Sequence, residues 1–148
     1  MIILQEMEEK DSVQIAELEK EIFKDAWTQI GIEETWREPH SFIIVAKEEG
    51  EVVGYCIVYC VLDEAEIAKI AVQQTKRHEG VGSRLLEETE RICLERNIAR
   101  MLLEVRESNV TARKFYTKQK FVADGIRKNF YENPMENAIL MSKKISMQ

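Results

Sequence analysis

The stretch KRHEGVGSRLLEETE (76–90) places Gly80 and Gly82 between an apolar run ending at Val72 and a segment of helical periodicity. The first amides of a helix have no internal acceptor and lie at the positive end of its dipole. A glycine beside them lets phosphate oxygens approach closely. Gly80-Val81-Gly82 therefore fits a pyrophosphate cradle, and it fits a tight turn before a helix equally well. Two other phosphate loops are excluded. A Walker loop needs Lys-Ser/Thr after its last glycine, where this chain has Ser83-Arg84, and a dinucleotide fingerprint needs a third glycine where Leu85 stands. A second group with chemical potential is Glu104 in LLEVR. Leu103 and Val105 flank it, and burial would raise its pKa toward the working range of a base. The competing reading pairs it with Arg106, two residues on and on the same strand face.

These groups need a scaffold, and the hydrophobic pattern supplies one. Ile2–Leu4 reads as a first strand. A helix from Asp11, capped by Asp11 or Ser12, carries an imperfect stripe of Val13, Ala16, Leu18, Ile22 and Phe23. Thr28 caps a short second helix that stops by Pro39. SFIIVAKEEGEVVGYCIVYCVL is a hairpin around EEGE, and EAEIAKIAV is a third strand of that group. From Val81 the period changes, with Val81, Leu85, Leu86, Thr89, Ile92 and Cys93 on one helical face. ARMLLEVR is apolar at nearly every position, the pattern of a central strand covered on both faces. SNVTARKFYTKQK is a helix opened by Ser108 or Asn109, and FVADGIR and NAILMSKKI are strands around ENPM. The sum is a single mixed α/β domain over residues 1–148, with a strand–helix–strand crossover at its centre.

Net charge is −6 with acidic residues spread throughout. That argues against nucleic-acid binding, which needs concentrated Lys and Arg. The longest apolar segment, 52–62, is about half of a membrane span. Cys56, Cys60 and Cys93 read as buried, reduced thiols, and with only His40 and His78 beside them no metal spacing emerges. The expectation is a soluble, cytoplasmic monomer with no metal.

RHEGVG (77–82) matches the Arg/Gln-x-x-Gly-x-Gly/Ala pattern of the GNAT acetyltransferases. Together with EAEIAKIAV, LLEVRESNVTARKFYTKQKF and RKNFYENPMENAILM it resembles the ribosomal-protein-alanine N-acetyltransferase branch of that family. The resemblance implies a mixed, mostly antiparallel sheet of six or seven strands flanked by about four helices, with acetyl-CoA as cosubstrate. It also implies that Ile70, Ala71 and Val72 lend strand-edge backbone to the pantetheine arm and, through Val72, an N–H to the thioester carbonyl. Arg77, His78, Glu79, Gly80, Val81, Gly82 and Ser83 would wrap the pyrophosphate, and Asn109 would touch the cofactor arm. Glu104 would be the general base and Tyr116, the competing reading of which is a core tyrosine beside Phe115, the general acid. Three departures stand out. Glu79 occupies a position that is often basic, so Lys76, Arg77 and Arg84 must supply counter-charge. The loop VQQTKRHEG lacks the usual aromatic and proline, and Asn137 stands in place of the usual Asp.

The acceptor implied is the N-terminal α-amine of a protein, a ribosomal protein among the candidates. An α-amine titrates near ~7.7–8.0 and a lysine near ~10.4, so at neutral pH a single carboxylate suits the former. Trp27 with Thr28, Glu66 and Tyr131 would line the acceptor side. The competing functions are transfer to a small-molecule amine and a CoA-binding partner subunit that does no chemistry.

Overall fold

The alternating and continuous apolar runs of residues 41–72 form the centre of the structure, a computed structural model that describes residues 1–146. Strands β2 (Ser41–Glu48) and β3 (Glu51–Val61) are joined by Glu49 and Gly50. Both turn residues have positive φ, 52° and 83°. That is the turn whose twist matches the flanking strands. Strand β1 (Ile2–Glu6) lies antiparallel to β2, and β4 (Glu64–Val72) antiparallel to β3. Helices α1 (Ser12–Ile22) and α2 (Gln29–Arg37) fill the connection from β1 to β2. Helix α3 (Val81–Glu95) carries the chain from β4 to β5 (Arg100–Arg106), which lies parallel to β4. Helix α4 (Val110–Lys118) leads to β6 (Val122–Tyr131) and β7 (Glu136–Lys144). The sheet order is β1-β2-β3-β4-β5-β7-β6. The seven strands and four helices follow the order read from the sequence.

Side chains on successive strand residues point to opposite faces, and the two faces hold separate cores. Ile44, Ala46, Cys56 and Val58 pack with Val81, Leu85, Leu86, Ile92 and Cys93 of α3 and with Tyr116 of α4. Ile43, Val45, Tyr55 and Ile57 pack with Ile15, Ala16 and Leu18 of α1 and Ile32 of α2. The expected α3 stripe is buried at every position. The α1 stripe is corrected: Val13 is exposed and Ile15 takes the core position. The capping expectation is corrected as well. Asp11 makes no cap bond to the helix; its carboxylate accepts from the Glu8 amide and pairs with the buried Lys47 at 2.9 Å. Of the three thiols, Cys56 and Cys93 are buried and Cys60 is half-buried. No described helix is long and apolar enough to cross a membrane.

Strand β5 departs most from its sequence pattern. Met101, Leu103 and Val105 are buried against α3 and α4, whereas Leu102, Glu104 and Arg106 are half-buried on the other face. Helices α1 and α2 cover β2 to β4 but leave this face of β5 partly open. The apolar run predicts a doubly covered strand; one face is covered in full and the other only in part.

One buried charge ties α1 to the sheet. Glu19 has no solvent exposure; its carboxylate accepts from the Tyr55 hydroxyl, from Lys69 at 3.2 Å and from the Trp27 amide at 2.9 Å. Lys69 is also stacked over the Phe23 ring at 3.7 Å. Removing the acid leaves a buried phenol, an amide and an ammonium without their acceptor, so Glu19→Ala is expected to lower unfolding stability by about 3 kcal/mol. Urea denaturation at unchanged m-value measures it, and a loss under about 1 kcal/mol would show the network to be dispensable.

Candidate active site

Strands β4 and β5 pair only through Glu64–Glu66 against Arg100–Leu102. Beyond that the two strands part, while β4 stays paired to β3 through Val72 and β5 to β7 through Arg106. The result is a gap in the sheet, with the start of α3 at one rim and the start of α4 at the other. The Gln73 amide donates to Val53 at 2.7 Å. Successive residues turn their amides to opposite strand edges, so Ile70 and Val72 face the gap and Ala71 faces β3. Of the three residues expected to offer edge backbone, two present it there and Ala71 is committed to the sheet.

The glycine question receives two different answers. Gly80, the residue that opens α3, has φ +82°, and a Cβ there would meet nothing. Its side-chain-free state serves the left-handed turn. A Cβ on Gly82 would lie 3.1 Å from Cζ of Phe115. Gly82 thus makes room for the α4 ring, and Gln119 of the same C-terminal turn donates to the Ser83 hydroxyl at 2.9 Å. The close approach that Gly82 permits is between helices. The helix start still presents the amides of Val81, Gly82 and Ser83, because the first to find a backbone acceptor is Arg84, bonded to the Gly80 carbonyl at 3.1 Å.

The expected counter-charges are largely committed elsewhere. Lys76 pairs with Glu48, and Arg77 Nε donates to the Val72 carbonyl at 3.1 Å. Glu79 and Arg84 are exposed, and His78 holds a positive φ of 68° in the loop. Anion binding at this rim falls mainly to backbone amides. Asn109 caps α4, accepting from the Ala112 amide at 3.1 Å through Oδ1. Only its Nδ2 side is left for a ligand.

Glu104 lies at the edge of the gap with its side chain 20% exposed. Its partner is Arg127 of β6, Nη1 to Oε2 at 3.1 Å, and not Arg106 as the same-face spacing suggested. Arg106 instead donates to Glu136 at 3.2 Å and to the carbonyls of Pro134 and Glu132, and stacks over the Tyr131 ring. Burial pushes the Glu104 carboxyl above the usual carboxylate range against the pull of Arg127, and the Glu66 carboxylate adds to the rise. Glu66 is exposed and sits opposite Leu102, two residues before Glu104.

Two phenols complete the group. Tyr131 is half-buried, and its pKa is pushed up to about 12 by burial and by the Glu104 carboxylate. Tyr116 is 8% exposed, held between the rings of Phe115 and Phe121, and burial pushes its phenol well above the ordinary range. Tyr116 also feels the Tyr131 phenol. Glu66 acts on the Glu104 carboxyl and that carboxyl on Tyr131, while Tyr116 lies in the α3/α4 core with Leu103 and Val105. Trp27 is partly buried against the α1/α2 core, its amide bonded to the Glu19 that pairs with Lys69 of β4, and Thr28 caps α2 through the Gly31 amide at 3.0 Å. Sequence reasoning missed Arg127, since only the β6/β7/β5 register reveals it: Arg127, Ala138 and Arg106 form one row across three strands.

The geometry can be set beside known proteins. The profile described as "Acetyltransferase (GNAT) family" matches residues 12–121. The chain is 32% identical over 145 residues to the ribosomal protein bS18-alanine N-acetyltransferase of Haemophilus influenzae, covering 96% of this chain and 98% of that one. Among solved structures, the ribosomal-protein-S18-alanine N-acetyltransferase from Escherichia coli superposes with a TM-score of 0.91 at 28% identity, covering 100% of this chain and 96% of that one. Ard1 from Thermoplasma volcanium gives a TM-score of 0.90 at 29% identity, with 98% of each chain covered.

The left-handed turn at the start of α3 can be tested directly. An alanine at Gly80 forces a Cβ into the left-handed region, which costs about 1–2 kcal/mol, and asparagine tolerates that region better. Gly80→Ala is expected to lower the thermal midpoint and Gly80→Asn to lower it less. Equal midpoints for wild type and Gly80→Ala would remove the backbone reason for this glycine.

Proposed function

This chain belongs to the GNAT acetyltransferase family, and on that premise we propose that it transfers the acetyl group of acetyl-CoA to the N-terminal α-amine of a protein. Ribosomal protein bS18, the acceptor named for its relatives, is the leading candidate. The observation that carries the reading is Glu104: a half-buried carboxylate whose pKa is raised by burial, at the rim of a gap lined by free strand and helix amides.

The residues present suit the cosubstrate. The Val81, Gly82 and Ser83 amides would hold its diphosphate, the gap-facing backbone of Ile70 and Val72 its pantetheine arm, and Asn109 Nδ2 a further polar group. When bound, acetyl-CoA supplies the acetyl group as a thioester whose thiol leaves as the new amide forms. Glu104 takes a proton from the acceptor ammonium, directly or through one water. A raised carboxyl pKa brings it closer to that of an α-amine, which titrates near ~7.7–8.0. Tyr116 would donate a hydrogen bond to the departing sulfur; a thiol titrates near ~8.5, far below this buried phenol, so the phenol stabilises the leaving thiolate, which takes its proton from solvent. Its burial keeps the phenol protonated throughout the working range, as a donor must be. The gap-facing Val72 N–H would be the donor for the thioester oxygen. Glu66 and Tyr131, beside Glu104, would receive the acceptor end.

Turnover of acetyl-CoA is expected with peptides beginning Ala, Ser, Met or Met-Leu, and little with free lysine or polyamines. A preference for polyamines would replace the protein acceptor with a small amine. Glu104→Gln is expected to reduce kcat on the order of 100-fold, in the range of general-base removal. Tyr116→Phe should lower kcat while leaving acetyl-CoA binding, measured by calorimetry, unchanged. Equal turnover in Tyr116→Phe and wild type would retire the donor assignment.

A further inference from the structure

We propose that Arg127 is a positioning residue for this reaction: its guanidinium fixes Oε2 of Glu104 and leaves Oε1 for the acceptor amine. The inference rests on the reading of Glu104 as the base and adds the group that keeps that base ready. Arg127 Nη1 donates to Glu104 Oε2 at 3.1 Å, between an arginine side chain 56% exposed and a carboxylate 20% exposed. A single bond to one oxygen orients the carboxylate without occupying both of its oxygens.

The surroundings of Arg127 are built to place it there. Strands β6 and β7 stay in register through Arg127 opposite Ala138, then slip until Tyr131 opposite Glu136. The slipped segment is pinned where the Asn129 amide donates to Asn137 Oδ1 at 3.0 Å. Phe130, within that segment, lies under the Arg127 guanidinium at 5.0 Å. The arginine is thus held from two sides, by an aromatic ring and by Glu104. Ala138, the small residue between Arg106 and Arg127 on the row, leaves room for both long side chains. Arg106 is already bonded to Glu136 and two carbonyls, so of the two arginines on that row it is Arg127 that serves Glu104.

The charged and titratable groups facing Glu104 are Arg127 and Tyr131 from β6 and Glu66 from β4, with Arg106 stacked on Tyr131. Burial and Glu66 favour the protonated acid, and Arg127 favours the anion. Without the guanidinium the carboxyl would hold its proton to higher pH, and a carboxyl already protonated cannot take a proton from the amine. The sign follows: Arg127→Ala moves the ionisation of Glu104 upward, so the loss of activity is larger at neutral pH and narrows as pH rises.

The test is a carbon-13 NMR titration of side-chain carboxyls in the protein without acetyl-CoA, the Glu104 signal being assigned by its absence in Glu104→Gln. Arg127→Ala is expected to move the Glu104 midpoint to higher pH, and Arg127→Lys to return it toward wild type. Turnover of an Ala-initiated peptide by Arg127→Ala should fall about tenfold at pH 7 and by much less at pH 9, with the KM for acetyl-CoA unchanged. An unmoved midpoint, or a loss of turnover equal at both pH values, would remove Arg127 while leaving Glu104 as the base. Full turnover in Glu104→Gln would remove both.

Discussion

The arrangement depends on the early separation of β4 from β5. A parallel pair that stops after three residues leaves backbone donors and acceptors on two strand edges, and groups of that kind are kept only where solvent, a side chain or a ligand meets them. Arg77 meets one of them at the Val72 carbonyl. The physical cause of the separation lies in β4 itself. Its register against β3 slips between Ile57–Lys69 and Val58–Ile67, so that Ala68 is an extra residue. Such a bulge bends its strand and increases the local twist, which carries Lys69–Val72 away from β5. The end of β4 is received by Gly54, where a Cβ would lie 3.1 Å from the Ala71 carbonyl. Bulge and glycine together open the sheet at the point where α3 and α4 begin.

Burial then acts on two kinds of acid in a useful combination. For both carboxyl and phenol, removal from water raises the pKa. In Glu104 the rise is opposed by Arg127, which favours the anion. In Tyr116 and Tyr131 the same effect keeps the phenols protonated far into alkali. One physical effect therefore raises a carboxyl and two phenols alike, with the guanidinium opposing it at Glu104. The two kinds of group end far apart because their starting pKa values differ.

Much of this was legible in the sequence, because the signals were local. The order of strands and helices, the two-residue turn at Glu49-Gly50, the stripe of α3 and the caps at Thr28 and Asn109 all follow from periodicity or from a side chain acting on its own turn. What was not legible depends on partners distant in sequence. The open face of β5, the choice of Arg127 over Arg106 and the buried Glu19 network each require strand order or register. Gly82 is instructive. Its position beside a helix start suggested room for a phosphate, but the contact it relieves is with Phe115, thirty-three positions later. A glycine in a sequence marks either a close approach, as at Gly82, or a left-handed turn, as at Gly80, and does not say which.

The departure at Asn137 has a local cause that reaches the site. Its Oδ1 accepts from the Asn129 amide, a role an aspartate would fill equally well. Its Nδ2 donates to Glu107 Oε1 at 3.3 Å, which an ionised aspartate could not do. An acid at this position would face the Glu107 carboxylate across the same distance, a repulsive contact between half-buried groups. The amide is therefore coupled to the presence of Glu107. Together they hold the slipped segment of β6 that places Phe130 beneath Arg127. A change from acid to amide at the far end of the sheet thus preserves, by a different hydrogen-bond pattern, the strand irregularity through which the arginine reaches Glu104.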